Sequence, residues 1–435
     1  MLEKGQFMGK NHIQEKGAMY LCRMIWKKQT KGEIKERIFN ALDANRNYDS
    51  DYILGIPGTY LDTAQFHRDA HFLEDAPFLR TFINNPNHIG CHTLTGDEGE
   101  DMFRGTQKIE VELIRLISEE IFKAEAKSVD GYVAPGGTEA NIQALWIYRN
   151  YFKAEYGAKL NEIAVLFSED SHYSFYKGAN LLSINAISVS VDEHKRSISE
   201  DDLKTKLAEA KAKGIKYLIG IANMSTTMFG SVDDVDFLAD AFEEYNLPYK
   251  IHVDGAFGGF IYPFTNPDSK LHFANPRINS ITVDAHKMLM APYGTGVFLI
   301  RKGWMHYAAT TEAKYVQGLD YTMVGSRSGA QAISIWMILM THGPQGWANT
   351  MLKLIQETDK LCEALDQLGI EYFRNPHLNI VSMNAKQVPA GIPEKYRLVS
   401  NDFEGEPRWW KIVVMQHTLG KVVDTFISDM RAALA

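Results

Sequence analysis

A chain of 435 residues, 45% hydrophobic and 23% charged, is long enough to bury a large core, and a split into one large and one smaller domain is expected. Its 46 Lys and Arg against 54 Asp and Glu give a formal charge of -8, spread without long like-charge blocks, which argues against a nucleic-acid or anionic-membrane surface. Cys22, Cys91 and Cys362 lie far apart with no CxxC spacing, so neither a disulfide framework nor a zinc site is indicated and the compartment reads as reducing. The opening MLEKGQFMGKNHIQEKG lacks a signal-peptide apolar core, and no apolar run approaches the roughly 20 residues of a membrane span, so a cytoplasmic protein is expected.

Residues 1–50 are polar and helical in part: Tyr20, Leu21, Met24 and Ile25, then Ile34, Ile38 and Leu42, recur at helical spacing. Residues 51–106, with turns at IPGTY, DAPF and NNPNHIG, read as an ordered but irregular arm of the kind that is functional or spans a partner subunit. His67, His71, His88 and His92 fall in it, but no two share an evident helix face with a carboxylate, and no metal site is expected. Thr106 reads as the cap of a helix carrying the stripe Ile109, Leu113, Leu116, Ile117 and Ile121. After DGYVAPGG, to which no strand is assigned, a second helix opens at Thr138–Asn141 and runs through Leu145 and Tyr148. Apolar runs at Ala164–Phe167, Ile187–Val191, Tyr217–Ala222, Lys250–Val253, Ile281–Val283 and Val297–Ile300 read as strands. Their alternation with helices predicts an α/β fold with a mainly parallel, two-sided sheet, and the short last gap allows one antiparallel strand. Beyond Gly329 come a helix through Ile333, Trp336, Met337 and Met340, another near Trp347–Leu368, strands at Glu371–Phe373, Ile380–Asn384 and Trp410–Met415, and a helix from Gly420. The expected division is an arm over residues 1–105, a large α/β domain over 106–330 and a small α+β domain over 331–435.

Lys287 lies between two of these runs, in a segment closed by Pro292, Gly294 and Gly296. A lysine ending a buried strand either rests its stem on apolar surface with the ammonium in water, or acts as a Schiff-base amine. GGTEAN, Gly136–Asn141, sets glycines before a helix, where free N–H groups bind phosphate and the Thr138 hydroxyl adds a donor; the same residues also make an ordinary turn and cap. SHYS puts His172 after a strand, where ligands of an open α/β sheet bind, although a solvated loop histidine reads the same. ANMSTTMFGSVDD, Ala222–Asp234, offers Thr226 and Thr227 to the same crevice or to a turn. HVDGAFGGF, His252–Phe260, ends an apolar strand on Asp254, and Gly255, Ala256, Gly258 and Gly259 leave room for a flat group; Asp254 serves equally as a loop cap. Taken jointly these are a phosphate cradle, a ring to stack, a carboxylate for a cation, a small residue beneath and an amine for an imine. Pyridoxal phosphate asks for that set, which decides Lys287 for the Schiff base.

From FRGTQKIEVEL through GGTEAN, SHYS, HVDGAFGGF, VDAHK and VGSRSG, roughly residues 100–345, the chain resembles the group II pyridoxal-phosphate-dependent amino-acid decarboxylases of fold type I. These include bacterial histidine decarboxylase and archaeal tyrosine/aspartate decarboxylase. The resemblance implies that Lys287 carries pyridoxal 5'-phosphate, that Asp254 pairs with the pyridinium nitrogen, and that Ala256 and His172 lie on opposite ring faces. It implies phosphate contacts from Gly136, Gly137, Thr138, Asp284 and His286, with His286 also near substrate, and a place for Thr227 by the ring hydroxyl or substrate carboxylate. It further implies a homodimer with the site at the subunit interface, Ser326 reaching the neighbouring subunit's phosphate, and a catalytic loop over Trp304–Gly325. That loop would supply a tyrosine as proton donor, Tyr315 first and Tyr321 second. Pro135 and Asp284 depart from the family pattern, which has a small polar residue at the first position and Asn in some members at the second. The implied reaction is decarboxylation of an L-amino acid of the tyrosine, aspartate, histidine or glutamate class, chosen in part by the arm with Tyr60, Phe66, His67 and His92. The alternative is a carbon–carbon lyase resembling sphingosine-phosphate lyase, which shares much of the HVDxxxGGF, HK and GSR pattern.

Overall fold

The structure, a computed structural model, describes residues 26–45, 87–89, 101–309, 319–402 and 404–435. Helix α1 (Lys31–Asp43) starts at a capping box in which Glu33 N–H donates to Thr30 Oγ1 and Thr30 N–H to Glu33 Oε2, and it buries the expected Ile34, Ile38 and Leu42. The short strand β1 (Asn87–Ile89) contains His88; His67, His71 and His92 lie outside the described residues. Helix α2 (Arg104–Arg115) opens two residues before Thr106, which therefore sits inside the first turn and is not its cap. The cap comes from elsewhere in the chain: Asn45 Oδ1 accepts from the N–H groups of Gly105 at 2.9 Å and Thr106 at 3.3 Å. A pattern read along one segment has no access to a cap supplied from 60 residues away.

Strand β2 (Val129–Ala134) is the element that the apolar pattern misses, because Asp130 and Gly131 interrupt its run although all six residues are buried. Gly131 is needed there, since a Cβ would lie 2.2 Å from the Phe298 carbonyl oxygen. Then follow α3 (Gly137–Tyr156), β3 (Ile163–Ser168), α4 (Ser174–Leu182), β4 (Asn185–Val189), α5 (Glu200–Ala212), β5 (Tyr217–Asn223), α6 (Val235–Glu244), β6 (Tyr249–Gly255), β7 (Ile278–Asp284) and β8 (Gly296–Arg301). The sheet order is β2-β8-β7-β6-β5-β3-β4, parallel from β7 to β4, with β8 the single strand running against its neighbours. Apolar cores cover both faces, one built on α2, α5 and α6 and the other on α3 and α4, which is why β3 and β7 are buried along their whole length.

After β9 (Ser326–Ser328), which pairs antiparallel with β1, the two helices expected near 333–340 and 347–368 follow within Gly329–Gln367, together α7, and are separated by a break at Gly343, whose φ 63° and ψ 173° are non-helical, just before Pro344. The chain ends in β10 (Tyr372–Phe373), β11 (Ile380–Asn384), β12 (Val399–Ser400), β13 (Trp409–Val413) and α8 (Lys421–Leu434), with the antiparallel order β10-β11-β13-β12. A separate core of Leu361, Leu365, Val381, Met383, Phe426 and Met430 lies between this sheet and its helices. Among the described residues no helix is long and apolar enough to cross a membrane, and no cluster of His, Cys, Asp or Glu could hold a metal ion.

Candidate active site

The carboxyl ends of β3, β5, β6 and β7 and the first turn of α3 enclose a cavity of about 490 Å³, a size typical of small-molecule sites. Of the residues singled out from sequence, it is lined by Gly136, Gly137, Thr138, His172, Thr227, Asp254, Ala256, Asp284, His286 and Lys287, which lie as much as 151 positions apart. The parallel strands explain the convergence, since each delivers its last residue to the same edge.

The first turn of α3 has no side-chain cap, so its leading N–H groups and the positive end of the helix face the cavity. Two glycines set this turn against its neighbours: a Cβ on Gly137 would stand 2.7 Å from Asp284 Oδ2, and one on Gly296 would stand 2.7 Å from the carbonyl carbon of Gly136. Beside the turn, Lys287 Nζ lies 3.3 Å and His286 Nε2 3.7 Å from Asp284 Oδ2. Burial raises the Asp284 carboxyl above its ordinary value, and the neighbouring Lys287 and His286 act against that rise. Burial lowers the imidazoles of both His286 and His172. The Lys287 side chain, the nearer of the two, supplies the positive charge that an aspartate beside an anion site requires.

Asp254, at the end of β6, is held by neutral donors. Ala256 N–H donates to Oδ1 and Asn141 Nδ2 to Oδ2, both at 3.0 Å. His172 Nδ1 accepts from Ser174 N–H at 3.3 Å, which fixes the ring at the start of α4. Thr226 turns out to close its own loop, accepting from Ser231 N–H at 3.1 Å with its hydroxyl 2.7 Å from that of Ser231. Both threonines line the cavity, and the Thr227 carbonyl accepts from Lys411 Nζ at 3.1 Å.

Asn141, Asn223, Ser225, Phe257, Glu139 and Met323 also line the cavity and were not assigned roles from sequence. Asn141 had a signal: four residues after Gly137 it falls on the same helix face, one turn deeper. Ser326 opens β9 as an exposed residue away from this cavity, and Tyr321 packs against the apolar cluster of α3 while its carbonyl accepts from Gln143 Nε2 at 2.8 Å. Arg327 of the GSR motif is buried in an ion pair with Glu110. Tyr315, Tyr60, Phe66 and residues 310–318 lie outside the described residues.

Pyridoxal phosphate fits these residues. Among the described residues, Asp284 Oδ1, His286 Nδ1 and Ser225 Oγ are buried without a hydrogen-bond partner at the cavity wall, a cost that polar atoms of a ligand would remove. The uncapped helix start suits a phosphate, Asp254 suits a protonated ring nitrogen, and the Lys287 amine is one-third exposed.

Residues 106–386 match the family described as the pyridoxal-dependent decarboxylase conserved domain. The tryptophan decarboxylase of Clostridium sporogenes is 49% identical over 407 residues, covering 94% of this chain and 97% of that relative. The probable L-aspartate decarboxylase of Archaeoglobus fulgidus is 32% identical over 376 residues, covering 83% and 96%. Among solved structures, sphingosine-1-phosphate lyase of Burkholderia pseudomallei aligns with TM-score 0.68 at 16% identity, over 100% of this chain and 92% of that one. L-methionine decarboxylase of a Streptomyces species, complexed with L-methionine methyl ester, aligns with TM-score 0.65 at 19% identity, over 93% and 94%. These two establish the fold. The chain belongs to the pyridoxal-dependent decarboxylase family, with the type I fold, and is a pyridoxal-phosphate-dependent amino-acid decarboxylase.

Proposed function

We propose that this decarboxylase acts on an aromatic L-amino acid, tryptophan foremost, releasing CO₂ and the arylethylamine. The likeness to the Clostridium tryptophan decarboxylase, along nearly the whole of both chains, carries the reading. The cavity's Ile142, Phe257 and Met323 supply apolar surface for an aromatic side chain. Tryptophan was not among the four substrate classes expected from the sequence. The carbon–carbon lyase alternative, which rests on shared HVDxxxGGF, HK and GSR residues and on fold likeness at 16% identity, is set aside in favour of the decarboxylase relatives.

When bound, the cofactor supplies an electron sink for the pair left on the substrate's Cα as CO₂ departs. The residues of the chain divide the remaining work. Lys287 Nζ would anchor the cofactor covalently when it is bound. Gly136, Gly137 and Thr138 hold the phosphate through the first turn of α3, with Asp284 and His286 at its side. Asp254 would hold the ring nitrogen, and His172 and Ala256 would confine the ring. Thr227 orients the carboxylate that leaves, and Tyr315, with Tyr321 second, returns a proton to Cα. Ser326 and Tyr315 act across a homodimer interface, and the enzyme works in the cytoplasm. We place the division into arm, large domain and small domain near residues 105 and 330.

Purified protein supplied with pyridoxal phosphate and each common L-amino acid tests the reading by amine and CO₂ release. Tryptophan should give the highest kcat/KM, with tryptamine as product. Faster turnover of aspartate or glutamate would overturn the aromatic assignment, and aldehyde without CO₂ would restore the lyase.

A further inference from the structure

Behind the cavity a line of buried polar side chains joins α3 to β6 and β7. Tyr148 O–H donates to Ser280 Oγ at 2.5 Å, Ser280 Oγ lies 2.7 Å from His252 Nδ1, His252 Nε2 lies 2.9 Å from Asn141 Oδ1, and Asn141 Nδ2 lies 3.0 Å from Asp254 Oδ2. Tyr148, Ser280 and His252 are fully buried and Asn141 is 1% exposed, so no bulk water completes or competes with these bonds. Asn141 and Tyr148 are seven residues apart and share one face of α3, which is what lets a single helix hold both ends of the line.

The donors can be arranged in only one sense. A carboxylate oxygen accepts, so the amide nitrogen of Asn141 must face Asp254 and its carbonyl oxygen must face His252. That oxygen also only accepts, so His252 Nε2 carries a hydrogen, shared with Thr282 Oγ1 at 3.2 Å. Burial lowers the His252 imidazole to about 4, so the ring is neutral and Nδ1 is bare. Nδ1 therefore accepts the Ser280 proton, and the Ser280 oxygen accepts from Tyr148, whose hydroxyl burial keeps protonated. The second hydrogen of Asn141 Nδ2 goes to Ser174 Oγ at 3.1 Å. Reversing any member would set two acceptors or two donors face to face in a dry site, at a cost comparable to an unsatisfied buried group.

We propose that this one-way relay, Tyr148 to Ser280 to His252 to Asn141, positions Asp254 and presents it as a hydrogen-bond acceptor to the cofactor's ring nitrogen. The relay rests on the reading of Asp254 given above. Asn141 and His252 are positioning residues, and each donor along the line polarises the next, so its influence on Asp254 declines with distance from the carboxylate.

The test uses the holoenzyme loaded with pyridoxal phosphate isotopically labelled at the ring nitrogen, whose NMR signal reports protonation at that atom, together with cofactor affinity and kcat/KM. Asn141→Leu and His252→Leu should move the signal toward the unprotonated form and lower kcat/KM by roughly ten- to hundredfold, as loss of an outer partner does for metal ligands. His252→Gln, which restores an N–H toward Asn141, should recover most of the loss. Tyr148→Phe, which removes one oxygen and keeps the ring in its packing, should shift the signal in the same sense by a smaller amount. An unmoved signal in Asn141→Leu, His252→Leu and Tyr148→Phe, with a moved one in Asp254→Asn, overturns the relay. An unmoved signal in Asp254→Asn overturns the reading of Asp254 itself.

Discussion

Asp254 and Asp284 end adjacent parallel strands, line the same cavity and are 6% and 3% exposed, yet they are held in opposite ways. The first accepts from two neutral N–H groups fixed to a loop and a helix, and behind them stands a buried line of donors. The second is approached through one oxygen by the side chains of Lys287 and His286, and its other oxygen has no hydrogen-bond partner among the described residues. Rigid neutral donors fix a direction; side-chain cations compensate charge and can regroup when a ligand arrives. The Asp254 corner is thus preorganised, and the Asp284 corner is adjustable.

The comparison breaks most sharply at Lys287. Lys287→Ala should abolish the visible absorbance of the holoenzyme and cut kcat/KM by about four orders of magnitude or more, as loss of a covalent anchor does. Retention of the absorbance band would place the anchor elsewhere. Next come the two aspartates measured side by side. Asp254→Asn should cost about a hundred- to thousandfold in kcat, the scale of a preorganised electrostatic contact, while Asp284→Asn should stay within about tenfold because the change relieves a buried carboxylate that burial already disfavours. Equal losses in the two variants would mean that the donors do not distinguish the corners.

The smallest effect concerns a third carboxyl on the same wall. Glu139 accepts from Tyr132 O–H at 2.9 Å, and burial pushes it up to about 7 from an ordinary 4.5. Between those values the folded chain binds more protons than the unfolded one, so this group's contribution to stability is fully present below pH 4.5 and is lost as pH rises to about 7. Glu139→Gln should therefore be less sensitive than the parent to a rise from pH 4.5 to 7, by at most about 3 kcal/mol in denaturant titrations. An unchanged difference between the two pH values would mean that Glu139 titrates normally.

What the sequence disclosed follows from how local each signal is. Ten residues of the cavity wall were legible because apolar runs end where the chain changes character, and parallel strands carry those ends to one edge. Strand β2 escaped because its packing against Phe298 demands a glycine that breaks the pattern. Tyr148 and Ser280 escaped because their partners are 132 positions apart, and nothing in either segment announces a hydroxyl facing inward. Thr106 was assigned a cap that Asn45 provides.

The kink in α7 has a mechanical meaning. Trp336 and Trp347, on either side of Gly343, belong to the core of the large sheet, while Leu361 and Leu365 further along belong to that of the small one, so the two helical segments of α7 form a bent rod from one to the other. The bend in that rod falls at a positive φ, and a Cβ on Gly343 would meet Lys28 Cβ at 2.6 Å. Gly343 is a set elbow with Lys28 as its stop, so the angle at which the small sheet is carried is gauged by a residue near the opposite end of the chain.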